Sequence, residues 1–300
     1  MSISFHGLSA FPITPMQQDK PDEARFAALI TRLVEAKVDS IGALGSTGSY
    51  AFLTRAEREK LARLAVSHAG SIPVLVSIGA IHLRDTLLLA EDAQKAGAKA
   101  LLLPPMSYFP LRDEEVFTLY ETVNRHVSVP LIVYDTPGTT QFHFSDALMP
   151  HICKLSHVRS IKLPSGSPTA EEAAARMARL LPTLPESITP GISGDPTAAQ
   201  ALIHGARIWY SEWGGLFPRL ARHLTDAALA KNEAEITRIE AIFAPFWAMS
   251  ARYNGSLRVI ASAAEIMNLA GPGALPRPLQ GVSQDDYDQL ATLIHTHQPA

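Results

Sequence analysis

Lys162 closes a short apolar run, Val158-Arg159-Ser160-Ile161-Lys162, just before Leu163-Pro164-Ser165-Gly166 breaks the chain. The other lysines, at 20, 37, 60, 95, 99, 154 and 231, read as loop, helix surface or the start of a strand. Two further polar segments follow apolar runs: Gly45-Ser46-Thr47-Gly48 and Tyr134-Asp135-Thr136-Pro137-Gly138. A lysine attacks a carbonyl as the neutral amine, and at an unperturbed pKa near 10.4 fewer than about one in a thousand is neutral at pH 7. Burial disfavours the ammonium, and a shift to roughly 7–8 would raise the neutral fraction several hundredfold. Such an amine can form a Schiff base with a 2-oxo acid. Beside it, the phenol of Tyr134 can carry protons through the carbinolamine and imine steps, and Ser46 can extend the relay. Gly45 and Gly48 let backbone amides turn toward a small anion, which with the Thr47 hydroxyl can hold a carboxylate. The Walker lysine of a phosphate loop is absent from this segment.

These segments need a scaffold that brings strand exits together. Short apolar runs recur every 25 to 35 residues or so, alternating with helical patterns, which is the rhythm of a parallel sheet with crossover helices. The runs are Phe5 to Ala10, Ser40 to Leu44, Pro73 to Ile78, Ala100 to Leu103, Pro130 to Tyr134, Val158 to Lys162, Ser187 to Ile192 and Arg207 to Ser211. Between them, Phe26, Leu29, Ile30 and Leu33 form one helix face after Pro21-Asp22. Thr54-Arg55-Ala56-Glu57 has the capping-box pattern, and Ser145 and Ser167-Pro168 are plausible helix starts. The pattern predicts an α/β fold, a (β/α)₈ TIM barrel over 1–230 that carries the active site at the strand exits. An open doubly wound sheet is disfavoured because no Gly-x-Gly-x-x-Gly follows the first run. Beyond Gly215 the pattern is helical, with Leu257, Ile260, Ala264 and Met267 on one face up to Gly271-Pro272-Gly273. Ser283-Gln284-Asp285-Asp286 opens a last helix that turns Tyr287, Leu290 and Ile294 inward. Residues 231–300 are read as a C-terminal helical appendage on the barrel.

Composition narrows the partners. With 47% hydrophobic residues, 18% charged residues and a net charge of -3, the chain can bury a sizeable core but lacks the basic excess that nucleic acid or anionic membranes attract. No stretch approaches about 18 unbroken apolar residues, and the start resembles no targeting segment. The single cysteine, Cys153, suits a reducing, cytoplasmic setting and reads as buried packing. The histidines are scattered, with His295 and His297 expected in a loose tail, so no metal site is predicted.

Taken in order, Gly-Ser-Thr-Gly, Tyr-Asp-Thr-Pro, Ser-Ile-Lys and Ser193-Gly194-Asp195 resemble the dihydrodipicolinate synthase / N-acetylneuraminate lyase family of class I Schiff-base aldolases. The opening Gly7-Leu8-Ser9-Ala10-Phe11-Pro12-Ile13-Thr14-Pro15 is similar to the start of that family, so the resemblance covers most of the chain. It implies Lys162 as the Schiff-base lysine, Tyr134 as the catalytic tyrosine, Ser46 as the relay hydroxyl and Thr47 as a carboxylate ligand. Ser193 and Gly194 would join the substrate site with Gly45, Gly48 and Thr139. The resemblance also implies that Tyr108, in the loop after the fourth strand, reaches a neighbouring subunit's site, in a homotetramer built from two dimers. No cofactor is implied.

Three departures bear on the substrate. Ser49 stands where the family loop carries glutamate, and Gly138-Thr139-Thr140 stands where the true synthases place an arginine for the acceptor's carboxylate. Without that guanidinium fork the acid loses a bidentate partner, which counts against 4-hydroxy-tetrahydrodipicolinate synthase activity proper. Leu163-Pro164 departs from the polar sequence of the sugar-binding members. Met106, Phe109, Phe142 and Phe144 suggest a less polar second substrate.

Simpler roles compete for several of these residues. A lone strand-exit lysine snorkels, Asp195 before Pro196 suits a helix N-cap, and Trp209, Trp213, Phe243 and Trp247 suit packing. The expectation is a carbon–carbon lyase acting on pyruvate or a related 2-oxo acid with an aldehyde. A sugar-acid dehydratase using the same imine is the alternative, and a degenerate keto-acid-binding barrel is the non-enzymatic one.

Overall fold

All eight apolar runs form strands in the computed structural model, which describes residues 3–164 and 170–297. In chain order they are β1 (Gly7–Ala10), β2 (Ser40–Ala43), β3 (Val74–Ser77), β4 (Ala100–Leu103), β5 (Leu131–Tyr134), β6 (Val158–Leu163), β7 (Thr189–Ile192) and β8 (Ile208–Ser211). They pair in parallel and close into a barrel, β1 hydrogen-bonding to both β8 and β2. Closure buries both faces of every strand, which is why the strands read as continuous apolar runs without alternation. Pro73 and Pro130 fall just before their strands because neither can donate to a ladder. β6 runs one residue past Lys162, to Leu163.

Inside the barrel, Phe11, Leu75, Leu102, Ile132, Tyr134 and Tyr210 pack together. A second, larger core lies between the strands and the helices. The register decides which side chains share a layer: Tyr134 on β5 is the direct partner of Lys162 on β6, and Lys162 is the partner of Gly191 on β7. One layer below, Ser160 Oγ and Tyr210 Oη hydrogen-bond at 2.6 Å.

The helices are α1 (Glu23–Glu35), α2 (Arg55–His68), α3 (Leu83–Ala96), α4 (Asp113–His126), α5 (Pro137–Thr140), α6 (Leu148–Ile152), α7 (Ala170–Leu180), α8 (Ala198–Ile203), α9 (Pro218–Leu229), α10 (Glu233–Arg252), α11 (Leu257–Ile266) and α12 (Gln284–His297). Their starts follow local chemistry. Asp22 accepts from Arg25 N at 3.0 Å, and Thr54 and Glu57 form the expected capping box. Ser145 Oγ accepts from Leu148 N at 3.1 Å, whereas Ser167-Pro168 lies outside the described residues. The predicted face of α1 is buried; on α12 Leu290 is buried, with Tyr287 and Ile294 half-buried. Among the described residues no helix is long and apolar enough to cross a membrane.

Three local expectations change. His295 and His297 belong to α12, which continues to the last described residue rather than fraying into a tail. α11 stops at Ile266, short of Gly271, and the chain turns at Asn268 with φ 57°. A small hairpin, Met16–Gln17 against Lys20–Pro21, was not anticipated: its turn residues, Gln18 and Asp19, hold positive φ without the usual Asn-Gly. The aromatic residues Trp213, Phe217, Phe243, Phe246 and Trp247 stack between α9 and α10 as packing. Cys153 is buried beside α6, and burial pushes its thiol up to about 12.

Candidate active site

Lys162 is 1% exposed. Its Nζ lies 3.9 Å from the centre of the Tyr134 ring and 5.1 Å from that of Phe11, and it donates to Ser193 Oγ at 2.7 Å. Two aromatic faces and one hydroxyl therefore lie against the amine, out of bulk water. Ser193 is fixed from behind, its N–H donating to the Leu163 carbonyl at 2.7 Å. Tyr134 Oη and Ser46 Oγ are 3.0 Å apart, so the phenol on β5 and the hydroxyl after β2 share a hydrogen bond across the barrel mouth. Lys162, Tyr134, Ser46 and Ser193, picked from four separate segments, thus form one contiguous group.

The loop after β2 works differently from its sequence reading. Its left-handed residues are Leu44 (φ 58°) and Ser49 (φ 55°), while neither Gly45 nor Gly48 has positive φ. The glycines are needed for space. A Cβ on Gly45 would meet the Phe11 ring at 2.7 Å, and one on Gly48 would meet the Leu44 backbone at 3.0 Å. The turn is closed by Ser49 N donating to the Ser46 carbonyl at 2.9 Å, which buries Thr47 and Ser49. Tyr50 follows, buried, with the Arg58 guanidinium 5.2 Å from its ring centre. Arg58 itself donates to the carbonyls of Ser77 and Gly79 at 2.9 Å each, and burial lowers it to about 10.

A cavity of about 480 Å³ opens from Ser46 and Thr47, a size typical of small-molecule sites. Thr139 and Met106 line it, as does the turn between α10 and α11. Glu212, directly after β8, and Arg258, on α11, line it too. Neither was anticipated. Glu212 was detectable by the strand-exit rule that found Lys162, since it follows the run ending at Ser211; no local signal marks Arg258. Tyr50, Ala51, Phe52, Leu257 and Leu279 also line it, so its wall is largely apolar, though mostly not through the four apolar residues from which a less polar second substrate was expected. Only Met106 of the four faces the cavity; Phe142 and Phe144 pack edge to face, and Phe144 against Tyr120, behind the barrel wall, while Phe109 is 74% exposed.

Three other residues singled out in the sequence lie outside the lining of this cavity. Tyr108 is 80% exposed and packs edge to face on Phe109, away from its own chain's cavity. Gly194 is buried, its carbonyl accepting from Thr197 N at 3.0 Å. Asp195 is not a side-chain N-cap. Its carboxylate accepts from Trp209 Nε1 at 2.7 Å, Ser211 Oγ at 2.9 Å and Trp213 N at 3.2 Å, tying the turn after β7 to β8. Burial, with Glu212 nearby, pushes Asp195 up to about 7. Asp135 follows Tyr134 but sits between sheet and helices, 3.3 Å from Arg176; burial pushes it up to about 6 against the pull of that guanidinium. Among the described residues no group of three or more His, Cys, Asp or Glu side chains could hold a metal ion.

Comparison with known proteins agrees with this geometry. The model of the Dihydrodipicolinate synthetase family matches residues 4–297. The chain belongs to that family. A 4-hydroxy-tetrahydrodipicolinate synthase from Nitrosomonas europaea is 30% identical over 237 residues, covering 78% of this chain and 79% of the relative. The crystal structure of a dihydrodipicolinate synthase from Agrobacterium tumefaciens superimposes with a TM-score of 0.93 at 39% identity, over 97% of both chains. A chloride-inhibited dihydrodipicolinate synthase from Acinetobacter baumannii, solved with pyruvate, shares the fold at a TM-score of 0.88 and 22% identity, over 99% of this chain and 100% of that one. Membership in the dihydrodipicolinate synthetase family bears out the resemblance, the barrel with its C-terminal helices, and the reading of the chain as a carbon–carbon lyase of the class I aldolase type.

Proposed function

We propose that this enzyme forms a Schiff base between Lys162 and pyruvate or a close 2-oxo acid, and joins it to, or releases it from, an aldehyde. The observation that carries the reading is the burial of Lys162 Nζ against the Tyr134 ring and within bonding distance of Ser193. Nζ adds to the ketone carbon to give a carbinolamine, which loses water to give the protonated imine. Loss of a proton from the adjacent methyl carbon gives an enamine, and that carbon bonds to the aldehyde carbon; hydrolysis of the new imine returns the amine. In the reverse direction the same carbon–carbon bond breaks. Tyr134 and Ser46, already sharing a hydrogen bond, carry protons through these steps. Thr47, with the amides of its loop, holds the carboxylate. The covalent imine supplies the electron sink, so this chemistry calls for no cofactor. The pyruvate bound to the Acinetobacter neighbour supports this choice of 2-oxo acid.

Tyr108 and Phe109, large and exposed on one loop, suit a subunit interface at which Tyr108 enters a neighbour's site, within a homotetramer. A buried free thiol suits a cytoplasmic location.

Borohydride reduction in the presence of pyruvate tests the central step. The expected result is a stable adduct mass on the peptide containing Lys162; a protein that stays unmodified while binding pyruvate is a keto-acid binder instead. Assaying 4-hydroxy-2-oxo acids and aldonates for pyruvate release against loss of water separates lyase from dehydratase.

A further inference from the structure

Phe11 follows β1 directly and packs inside the barrel, where its ring is the second of the two faces that meet Lys162 Nζ, 5.1 Å from ring centre to nitrogen. It is 2% exposed. The surrounding chain is shaped to admit this ring. A Cβ on Gly42, in β2, would overlap it, and one on Gly45, in the loop that follows, would come within 2.7 Å. A Cβ on Gly215, beyond β8, would overlap the Phe11 carbonyl. Glycine weakens a strand such as β2 unless a close approach needs the room, and here glycines from separate parts of the chain keep clear the space that Phe11 fills. The residue is also held from the side. Tyr210 meets the ring edge to face at 6.1 Å and 82°, Tyr210 Oη is fixed by Ser160 Oγ at 2.6 Å, and Phe11 N donates to the Ser211 carbonyl at 2.9 Å. Filling a barrel calls for a buried apolar group, but not for one seated against the reacting nitrogen.

We infer that Phe11 sets the size of the 2-oxo acid, admitting a methyl group beyond the ketone and rejecting longer chains. The inference rests on the Schiff-base reading of Lys162. A ketone carbon bonded to Nζ carries two substituents, and both must fit in the space that the Tyr134 and Phe11 rings leave around that nitrogen. The carboxylate is assigned to Thr47 and its loop, so the carbon chain has what remains. Neither ring is free to retreat. Tyr134 is tied through its hydroxyl to Ser46, and Phe11 is confined by its glycine seat and by Tyr210. A close-packed interior accepts an extra methylene only by displacing such neighbours. Phe11 acts by occupying space and carries no proton, so it is a specificity-determining residue and takes no part in the relay.

Borohydride trapping reads this selection without any need for an aldehyde. Pyruvate, 2-oxobutanoate and 2-oxopentanoate are each offered at limiting concentration to the wild-type enzyme, Phe11→Leu and Phe11→Ala, and the rate of adduct formation is compared. In the wild type each added methylene is expected to lower the rate by about tenfold or more. Phe11→Ala should bring the three acids to within about threefold of one another, with Phe11→Leu in between. General damage to the barrel slows all three acids alike and leaves their ratios untouched. A variant that traps pyruvate and keeps the wild-type ratios therefore overturns the assignment, and Phe11→Leu supplies that reading where Phe11→Ala does not fold. A wild-type enzyme that traps 2-oxopentanoate as readily as pyruvate overturns it as well. No adduct with any of the three acids overturns the Schiff-base reading itself, so the two failures are distinct.

Discussion

An amine enclosed by two aromatic rings and a serine is useful only if it reacts, and replacing it isolates that use. Lys162→Ala is expected to abolish both turnover and the borohydride adduct while leaving a cooperative melt, because removing the amine spares the fold the cost of burying a polar group. Retained turnover would remove Lys162 from the chemistry. Tyr134→Phe keeps the ring over Nζ and deletes only the hydroxyl shared with Ser46, so kcat should fall by about a hundredfold to ten-thousandfold. Activity within tenfold of wild type would take the phenol out of the relay. Asp135, the next residue, faces the opposite side of the sheet and reports on pH. Its carboxyl is raised from 3.8 to about 6, so the folded state holds a proton that the unfolded chain has already lost between those values. Stability contributed at this position is therefore present below about pH 4 and declines as pH rises through 6. Asp135→Asn removes the titration, and the stability of the variant relative to wild type should grow by up to about 3 kcal/mol between pH 4 and 7. Urea melts at the two pH values measure it; a gap that does not change with pH contradicts the assignment.

Elements decide how far such residues could be read in advance. β5 and β6 pair with Tyr134 opposite Lys162, and residues paired in register on neighbouring strands point to the same side of the sheet; both residues also end apolar runs of the sequence. That made the amine and the phenol legible. Phe142 and Phe144 were misplaced because a parallel strand or its loop is apolar on both sides, and periodicity does not tell barrel interior from helix layer. Arg258 was invisible for another reason: only the packing of α10 and α11 over the barrel mouth brings that part of the chain to the cavity. Asp195 was assigned to the wrong task, since its three donors come from β8 and the residues just after it, beyond any local motif. Its function as a clasp predicts that Asp195→Ala leaves an indole N–H, a hydroxyl and an amide without their acceptor. At about 1–3 kcal/mol for each buried unsatisfied group, the loss should be at least about 3 kcal/mol in a denaturant melt. A variant within about 1 kcal/mol of wild type would show that the clasp contributes little.

At the scale of the whole molecule the barrel holds a contiguous Lys162–Tyr134–Ser46 group on its own, so anything supplied from outside must enter from the rim. Tyr108 and Phe109 project from the loop after β4 with 80% and 74% of their surface exposed, in contact with each other. An exposed pair of large aromatic side chains is costly in water and suits an interface. If Tyr108 acts in a neighbour's site, complementation follows from geometry. Tyr108→Phe should slow turnover, and Lys162→Ala should abolish it. Mixing the two and letting subunits exchange should then create sites that combine an intact Lys162 from one chain with an intact Tyr108 from the other. Activity per intact Lys162 should rise toward the wild-type value on mixing, and sedimentation should show the assembly in which exchange occurs. A mixture no faster than the average of its parts, or a Tyr108→Phe enzyme with unchanged turnover, would leave each barrel catalytically complete within its own chain.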